Sequence, residues 1–507
     1  MAPLQDSIFE AEEATYGTPI QQFYRKKSIF MTGATGFLGK VIIEKLLRTC
    51  DVENIYILMR SKKNDDVHTR VDKIFDDPIF ERVKKENPKF RHKIVSIGGD
   101  CMLPGLGIDP NERALLVKHV DIVYHVAATV RFDEKLKLAL AINVSGTMEM
   151  MKLAKEMEHL KAFVHVSTAF ANCNRTDIDE TFYPTPITGE NSIKLGEMMD
   201  DATLNKMTPE LIGNWPNTYT YTKCLAEDYV RSHAKGLPLA VFRPAIVIPT
   251  YQEPIKGWID NMYGPTGIVI GVAAGLLRVI YVHKENQAEL VPVDMCCNSL
   301  IASAYDVAVN SYEEPPIYNF VSHNKNPLTW ESYCDLCVEH GVQAPLMKMA
   351  WYYTLKLSSS RFLVTILTFL YHWIPAMIVD FILLICGKKP KLMDTYKKIH
   401  KLCDVISYFT THVFIFKRNN VDNLWMKMDD RDKELFFFDM KNVEWSSFIK
   451  NSIFGIRTYL MKEDPKTIPQ AIKRFQRLKI IHYTTIYTIR AAALYLLYKL
   501  LPLPKLF

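Results

Sequence analysis

At 507 residues the chain is too long for one ordinary domain, so at least two folded units are expected. With 48 % apolar and 11 % aromatic residues it is not a disordered chain, and a formal charge of +6 without any arginine-rich run interleaved with aromatics argues against a nucleic-acid partner. Its 10 cysteines are scattered and a chain of this size needs no disulfides, so a reducing compartment is expected.

The opening residues, MAPLQDSIFEAEEATYG, are polar and acidic with no signal-peptide core, and 1–25 are expected to form an extension ahead of the first domain. Residues 28–31 are a short apolar run suited to a buried strand. They lead straight into Thr32-Gly33-Ala34-Thr35-Gly36-Phe37-Leu38-Gly39, after which 40–48 carry Val41, Ile42, Leu46 and Leu47 on one helical face. A strand, a glycine-rich turn and a helix in that order bring a helix N-terminus against a phosphate. The spacing is G-x-x-G-x-x-G, and three glycines alone would mark only a tight turn. The flanking strand and helix are what point to a dinucleotide.

Residues 54–59, NIYILM, are the next strand, and Arg60 stands where an NAD-binding chain places a ribose-binding acid. Arg60 is followed by Ser61, Lys62 and Lys63. A carboxylate there would repel a 2′-phosphate, whereas an arginine fork grips one, so NADPH is the expected cofactor. Strand-like runs follow at 92–97, ending in Gly98-Gly99-Asp100, and at 120–126, ending in Ala127-Ala128. Two more lie at 162–166, ending in Ser167-Thr168-Ala169, and at 237–242, ending in Arg243-Pro244, with a helical pattern over 146–158. Alternating strands and helices predict an α/β fold with a doubly wound, parallel Rossmann-type sheet and ligands at the strands' C-terminal ends. The polar groups just named all fall at such ends.

Residues 174–217 break the pattern as an acidic insertion expected to rise above the sheet edge. Gly264-Pro265-Thr266-Gly267 opens an apolar run to 280, read as a substrate-side loop and helix, and Val291-Pro292-Val293-Asp294 begins a return into a domain spanning 26–345. Cys334 and Cys337 form a lone C-x-x-C with no second pair, which predicts two thiols on one helix face and no metal site. A helical, membrane-associated domain is expected over 346–465. Within it 361–387 is long enough for a span by the ~20-residue criterion, though His372, Pro375 and Asp380 interrupt it. Lys388, Lys389, Lys391, Lys397, Lys398 and Lys401 follow at once. A hairpin bent near Pro375, with both ends cytosolic, answers the lysines and the buried acid together. The tail, 466–507, reads as an interfacial helix or a marginal span.

Asn217-Thr218-Tyr219-Thr220-Tyr221-Thr222-Lys223 holds a tyrosine four residues before a lysine, on one face of a helix. The ammonium is expected to lower the phenol's pKa, and Ser167-Thr168 supplies an upstream hydroxyl. Tyr221, two residues from Lys223, would face elsewhere.

TGATGFLG, HVAATVRFD from His125, STA at Ser167 and YTYTK at Tyr219 together resemble an extended short-chain dehydrogenase/reductase. With GWIDNMYGPTG from Gly257 and HWIPAMIVD from His372, the chain more narrowly resembles alcohol-forming fatty acyl-CoA reductases, insect members especially, over roughly residues 20–505. The resemblance implies that Gly33, Thr35, Gly36, Phe37, Leu38 and Gly39 hold the cofactor, with Arg60, Asp100, Asn143 and Lys223 as further contacts. It implies Tyr219 as general acid, Lys223 as its partner and Thr168 as the donor to the carbonyl, with Ser167 second choice because it should point to the sheet's other face. It further implies long-chain fatty acyl-CoA as substrate, a membrane as partner, no metal and no nucleic acid. The catalytic domain would face the cytosol at the endoplasmic reticulum, a peroxisome or a lipid droplet. A sterol or carrier-linked acyl reductase on the same fold, and a non-catalytic lipid-binding scaffold, are the alternatives. The gap from Thr168 to Tyr219 is longer than in typical sugar epimerases, so the chemistry transfers better than the pocket.

Overall fold

Seven short strands, apolar along nearly their whole length, build one sheet. They are β1 (Ile29–Thr32), β2 (Ile55–Met59), β3 (Ile94–Gly98), β4 (Ile122–His125), β5 (Ala162–Val166), β6 (Leu239–Pro244) and β7 (Ile317–Phe320). All residues of β1, β2, β4, β5, β6 and β7 are buried, as a parallel sheet covered on both faces requires. The computed structural model describes residues 17–60 and 67–500, so expectations that fall on Ser61, Lys62, Lys63, 1–16 and 501–507 lie outside the described residues.

The strand order is β7-β6-β5-β4-β1-β2-β3, every pair parallel. This is the doubly wound order with one strand added beyond β6. The expected Rossmann-type sheet is therefore present. The direction of winding reverses between β1 and β4, where Thr32 pairs with His125, and ligands of such sheets bind at that crevice. Sequence reading missed β7. Its four residues, IYNF, offer too short a period to stand out.

Helix α1 (Phe37–Thr49) follows β1, α2 (Gly146–Glu156) precedes β5, and α3 (Thr218–His233) precedes β6. The insertion after residue 174 is largely ordered into helices Gly189–Met198 and Asp201–Ile212. The side chains of Thr188 and Asp200 cap their N-termini.

The chain divides into two compact units, and the division is interleaved rather than falling at 345. One unit gathers the chain up to Trp258 with Glu289–Pro327 and Val413–Glu444; the other gathers Ile259–Ala288, Leu328–His412 and the chain from Trp445. Part of the expected C-terminal domain thus belongs to the sheet's unit. There Ile415–Phe416 pairs with Asp177–Ile178, and Arg243 and Glu180 tie the insertion to the sheet.

In the second unit lie α4 (Pro265–Ala273), α5 (Trp330–Gly341), α6 (Arg361–Ile385), α7 (Leu392–Thr411) and α8 (Ile468–Leu500). The bend expected near Pro375 is absent. A π-helical turn over Phe369–Trp373 widens the backbone just ahead of the proline, so α6 runs through it. The chain reverses instead at 386–391, where Gly387 has φ +69°, and α7 packs back along α6. Asp380 is no stray charge: its carboxylate accepts from the N–H groups of Lys391 (2.9 Å), Leu392 (2.9 Å) and Met393 (2.8 Å), closing the N-terminus of α7. Among the described residues α6 is the one helix long and apolar enough to cross a membrane, and only 11 % of its most apolar stretch is buried.

Candidate active site

The turn after β1 is shaped by close approach. Gly33 has φ +73°, and a Cβ there would lie 2.7 Å from the backbone N of Ala127, at the end of β4. A Cβ on Gly39 would lie 2.3 Å from the carbonyl oxygen of Gly33. Gly36 is the N-cap of α1 and offers no side chain to its first amides, so those N–H groups are left for an anion. Thr35 and Gly36 are exposed at the apex, while Phe37 stacks on Trp258 with centroids 5.4 Å apart. Leu38 begins the helix beside it, half-buried, its carbonyl facing the thiol of Cys297 at 3.6 Å. The cradle fits a pyrophosphate.

Arg60 sits at the C-terminal end of β2 with an exposed side chain, and its carbonyl accepts from Arg70. Asp100 follows β3 by two residues and accepts from the N–H of Met102 at 3.1 Å. Both charges act on the buried Cys101 between them, whose thiol is pushed up to about 12, chiefly by burial. Arg60 and Asp100 therefore flank one end of the crevice.

Under the crevice, His125 is clamped neutral. Its Nδ1 meets Thr32 Oγ1 at 2.8 Å and its Nε2 meets Thr147 Oγ1 at 3.1 Å, and burial followed by the charge of Lys223 pushes it down to about 3. Asn143 lies in the π-helical turn Ala141–Ser145 that leads into α2. Its Oδ1 accepts from Thr129 N at 3.0 Å and its Nδ2 donates to Thr222 Oγ1 at 2.9 Å. Through these two bonds Asn143 braces α3 next to Lys223.

Tyr219 stands on the first turn of α3, whose N-cap is Asn217. Its ring stacks on Phe132 with centroids 5.5 Å apart, and the side chain of Thr168, at the end of β5, acts on its hydroxyl. The phenol's pKa is pushed up to about 12 by burial, against which Thr168 acts. That reverses the expectation of a lysine-lowered phenol. The lysine's own charge is weakened instead: Lys223 is buried, its Nζ donates to the carbonyl of Val166 at 2.7 Å, and desolvation brings it down to about 8 despite Glu227. A protonated phenol is what a general acid needs.

Ser167 turns away, donating to Glu227 Oε1 at 2.5 Å, and Glu227 is in turn held by the buried Arg243 at 2.6 Å. Tyr221 also faces elsewhere, edge-on to Trp215 with centroids 5.5 Å apart. Ser167 and Tyr221 are thus committed to partners other than Thr168 and Tyr219. Phe132 and the Glu227–Arg243 pair were not foreseen. The only signal for the latter was a glutamate four residues past Lys223. Among the described residues no cluster could hold a metal ion.

Two family models, each described as male sterility protein, match residues 31–300 and 371–463. Fatty acyl-CoA reductase wat of Drosophila melanogaster is 50 % identical over 99 % of this chain and 97 % of its own length. Fatty acyl-CoA reductase 1 of Rattus norvegicus is 37 % identical over 92 % of this chain and 90 % of its own. Among solved structures, the reductase domain of a nonribosomal peptide synthetase from Mycobacterium tuberculosis aligns with a TM-score of 0.57 at 19 % identity, covering 88 % of this chain and 94 % of that one. The terminal R domain of the myxalamid pathway aligns with a TM-score of 0.55 at 19 % identity, covering 85 % of this chain and 90 % of that one. These two likenesses establish the fold alone.

Proposed function

The chain belongs to the fatty acyl-CoA reductase family, and from that premise we propose that it reduces long-chain fatty acyl-CoA to a primary alcohol with NADPH. The observation that carries the reading is Tyr219, protonated and beside Thr168, on the same edge of the sheet as the glycine cradle. Gly33, Gly36 and Gly39, with the first amides of α1, would hold the pyrophosphate, and Arg60 the 2′-phosphate. When bound, NADPH supplies a hydride to the carbonyl carbon in each of two successive reductions.

Thr168 donates to Pro244 O at 3.5 Å, the long limit of a hydrogen bond, so it is free to exchange that partner for the carbonyl oxygen. Tyr219 shares the developing oxyanion. In the first reduction the C–S bond breaks, CoA leaves as thiolate and an aldehyde remains. In the second, Tyr219 gives its proton to the alkoxide. Lys223, on the next turn of α3, favours that proton transfer by stabilising the phenolate that forms. The exposed apolar face of α6 and the outer half of α8 support attachment to a membrane surface, with the catalytic unit in the cytosol.

The test is the full-length protein with NADPH or NADH and a panel of acyl-CoAs, acyl-carrier thioesters and sterols, products identified by mass spectrometry. Primary alcohols from acyl-CoA and NADPH are expected. Aldehyde alone, or turnover confined to carrier thioesters or sterols, would overturn the reading.

A further inference from the structure

Within the second unit, the hairpin of α6 and α7 presents apolar and basic surface in immediate succession. Along α6, Phe362, Ile366 and Phe369 precede or open the π-helical turn, and Ile378, Phe381 and Ile385 follow it. All six are between 41 and 76 % exposed, while His372, Ala376 and Asp380 take the buried side. The stripe therefore carries through the turn unbroken. An exposed apolar face of that length marks a surface built to meet something other than water.

The basic part is held in a fixed place beside it. α6 closes with the N–H of Lys388 on the carbonyl of Leu383 (2.8 Å) and that of Gly387 on Leu384 (3.0 Å), a Schellman arrangement with Gly387 at φ +69°. On the far side of the tip, the Asp380 carboxylate takes the N–H of Lys391. Lys388, Lys389 and Lys391 thus leave a tip anchored at both ends, directly after the exposed Leu384 and Ile385, and all three are exposed. On α7, Tyr396 is buried and His400 half-buried, whereas Lys397, Lys398 and Lys401 stand exposed on another face. Six lysines in this stretch meet two aspartates, Asp394 and Asp404, and Asp394 is paired with Lys397 at 2.9 Å. A bilayer with anionic headgroups has its layers in the matching order: hydrocarbon for the stripe and, immediately outside it, negative charge for the lysines.

We propose that the α6–α7 hairpin docks on an anionic lipid surface and that its lysines read the charge of that surface, so that lipid composition decides how firmly the hairpin is held. The inference rests on the membrane attachment proposed above and adds the class of lipid. Each lysine brought to such a surface strengthens binding by roughly fivefold, and salt screens the gain away.

The experiment uses the full-length protein. Cys386, the one exposed cysteine among the described residues, lies at the hairpin tip and takes an environment-sensitive fluorophore. The labelled protein is titrated with vesicles of phosphatidylcholine alone or of phosphatidylcholine with phosphatidylserine, over a range of salt, and thermal unfolding reports folding of each variant. The probe should enter an apolar environment at far lower lipid concentration on the serine-containing vesicles, and salt should reverse the difference. Lys388→Gln, Lys389→Gln and Lys391→Gln combined should weaken the response to anionic vesicles roughly tenfold or more and leave that to neutral ones unchanged. Asp394→Asn, which frees Lys397, should strengthen it. An equal response to both kinds of vesicle, or an unchanged response in the triple variant, would overturn the lipid-charge inference and leave membrane attachment standing. A probe that stays in water on every vesicle would overturn attachment through this hairpin. Tighter binding of poly-glutamate than of anionic vesicles would assign the lysines to an acidic protein and overturn the inference too.

Discussion

Tyr219 and Tyr221 are two residues apart on one helix, and the structure separates them by partner. Tyr219 lies against Phe132, with Thr168 acting on its hydroxyl, whereas Tyr221 packs edge-on to Trp215. Tyr219→Phe is therefore expected to lower turnover on the order of 10²–10⁴-fold with NADPH affinity intact, and Tyr221→Phe to keep near-normal turnover. Steady-state rates with cofactor binding by fluorescence check both, and a dead Tyr221→Phe beside an active Tyr219→Phe would reverse the assignment. Arg60 projects from the end of β2 with its side chain exposed, so its grip on a phosphate is shared with solvent. Arg60→Glu should weaken NADPH roughly tenfold and NADH little. An unchanged preference between the two cofactors would remove Arg60 from the site.

At the scale of an element, the α6–α7 hairpin depends on one carboxylate. Asp380 takes three backbone N–H groups at the start of α7, a lone side chain replacing the next turn's carbonyls. Asp380→Ala should destabilise the hairpin by ~1–2 kcal/mol and open the 386–391 turn to protease. Melting and limited proteolysis check this; unaltered cleavage would show that the cap carries little. The same hairpin bears on the proposed attachment to a bilayer. α7 packs along α6 yet carries Lys397, exposed and paired with Asp394, together with Lys398 and Lys401. On the proposed attachment to a membrane, such charges would hold α7 in water, and α6 with it at the interface. Glycosylation tags placed before Arg361 and after Lys401 should both report the cytosolic side. Tags on opposite sides would mean that α6 crosses.

Across the sheet's unit, distant segments of chain meet at a single titrating group. Glu180 accepts from Asn319 N at 3.1 Å and Asn420 N at 2.7 Å, linking the insertion, β7 and the segment from Val413. Burial outweighs those donors and pushes its carboxyl from 4.5 up to about 7. The folded state thus holds the proton more tightly than the unfolded one. The stability contributed is full below about 4.5 and is lost as pH rises through about 7. Glu180→Gln keeps an acceptor and removes the titration, so it should flatten the fall in stability across that window, on the order of 1–3 kcal/mol. Denaturant titrations at a series of pH values would read it, and an equal slope in wild type and variant would assign the decline to other groups.

Local chemistry sufficed for whatever is written in consecutive residues. Three glycines between an apolar run and an amphipathic one could fold only as strand, turn and helix. Tyr219 and Lys223 at a four-residue spacing could lie only on one face, and Thr168 had to oppose Ser167 across the strand because side chains alternate. Tertiary structure decided whatever depends on residues far apart. Burial in the assembled site, not the adjacent lysine, sets the state of Tyr219. Thr129 and Thr222 claim Asn143. A π-helical turn absorbs Pro375, and Asp380 finds its partners only when α7 returns beside α6. The division into units follows the same reason. Ile415–Phe416 finds a partner strand more than two hundred residues upstream, at Asp177–Ile178, so no linear reading of composition could draw that boundary. Sequence patterns encode direction and period along the chain; desolvation, pairing and packing exist only once distant segments share a volume.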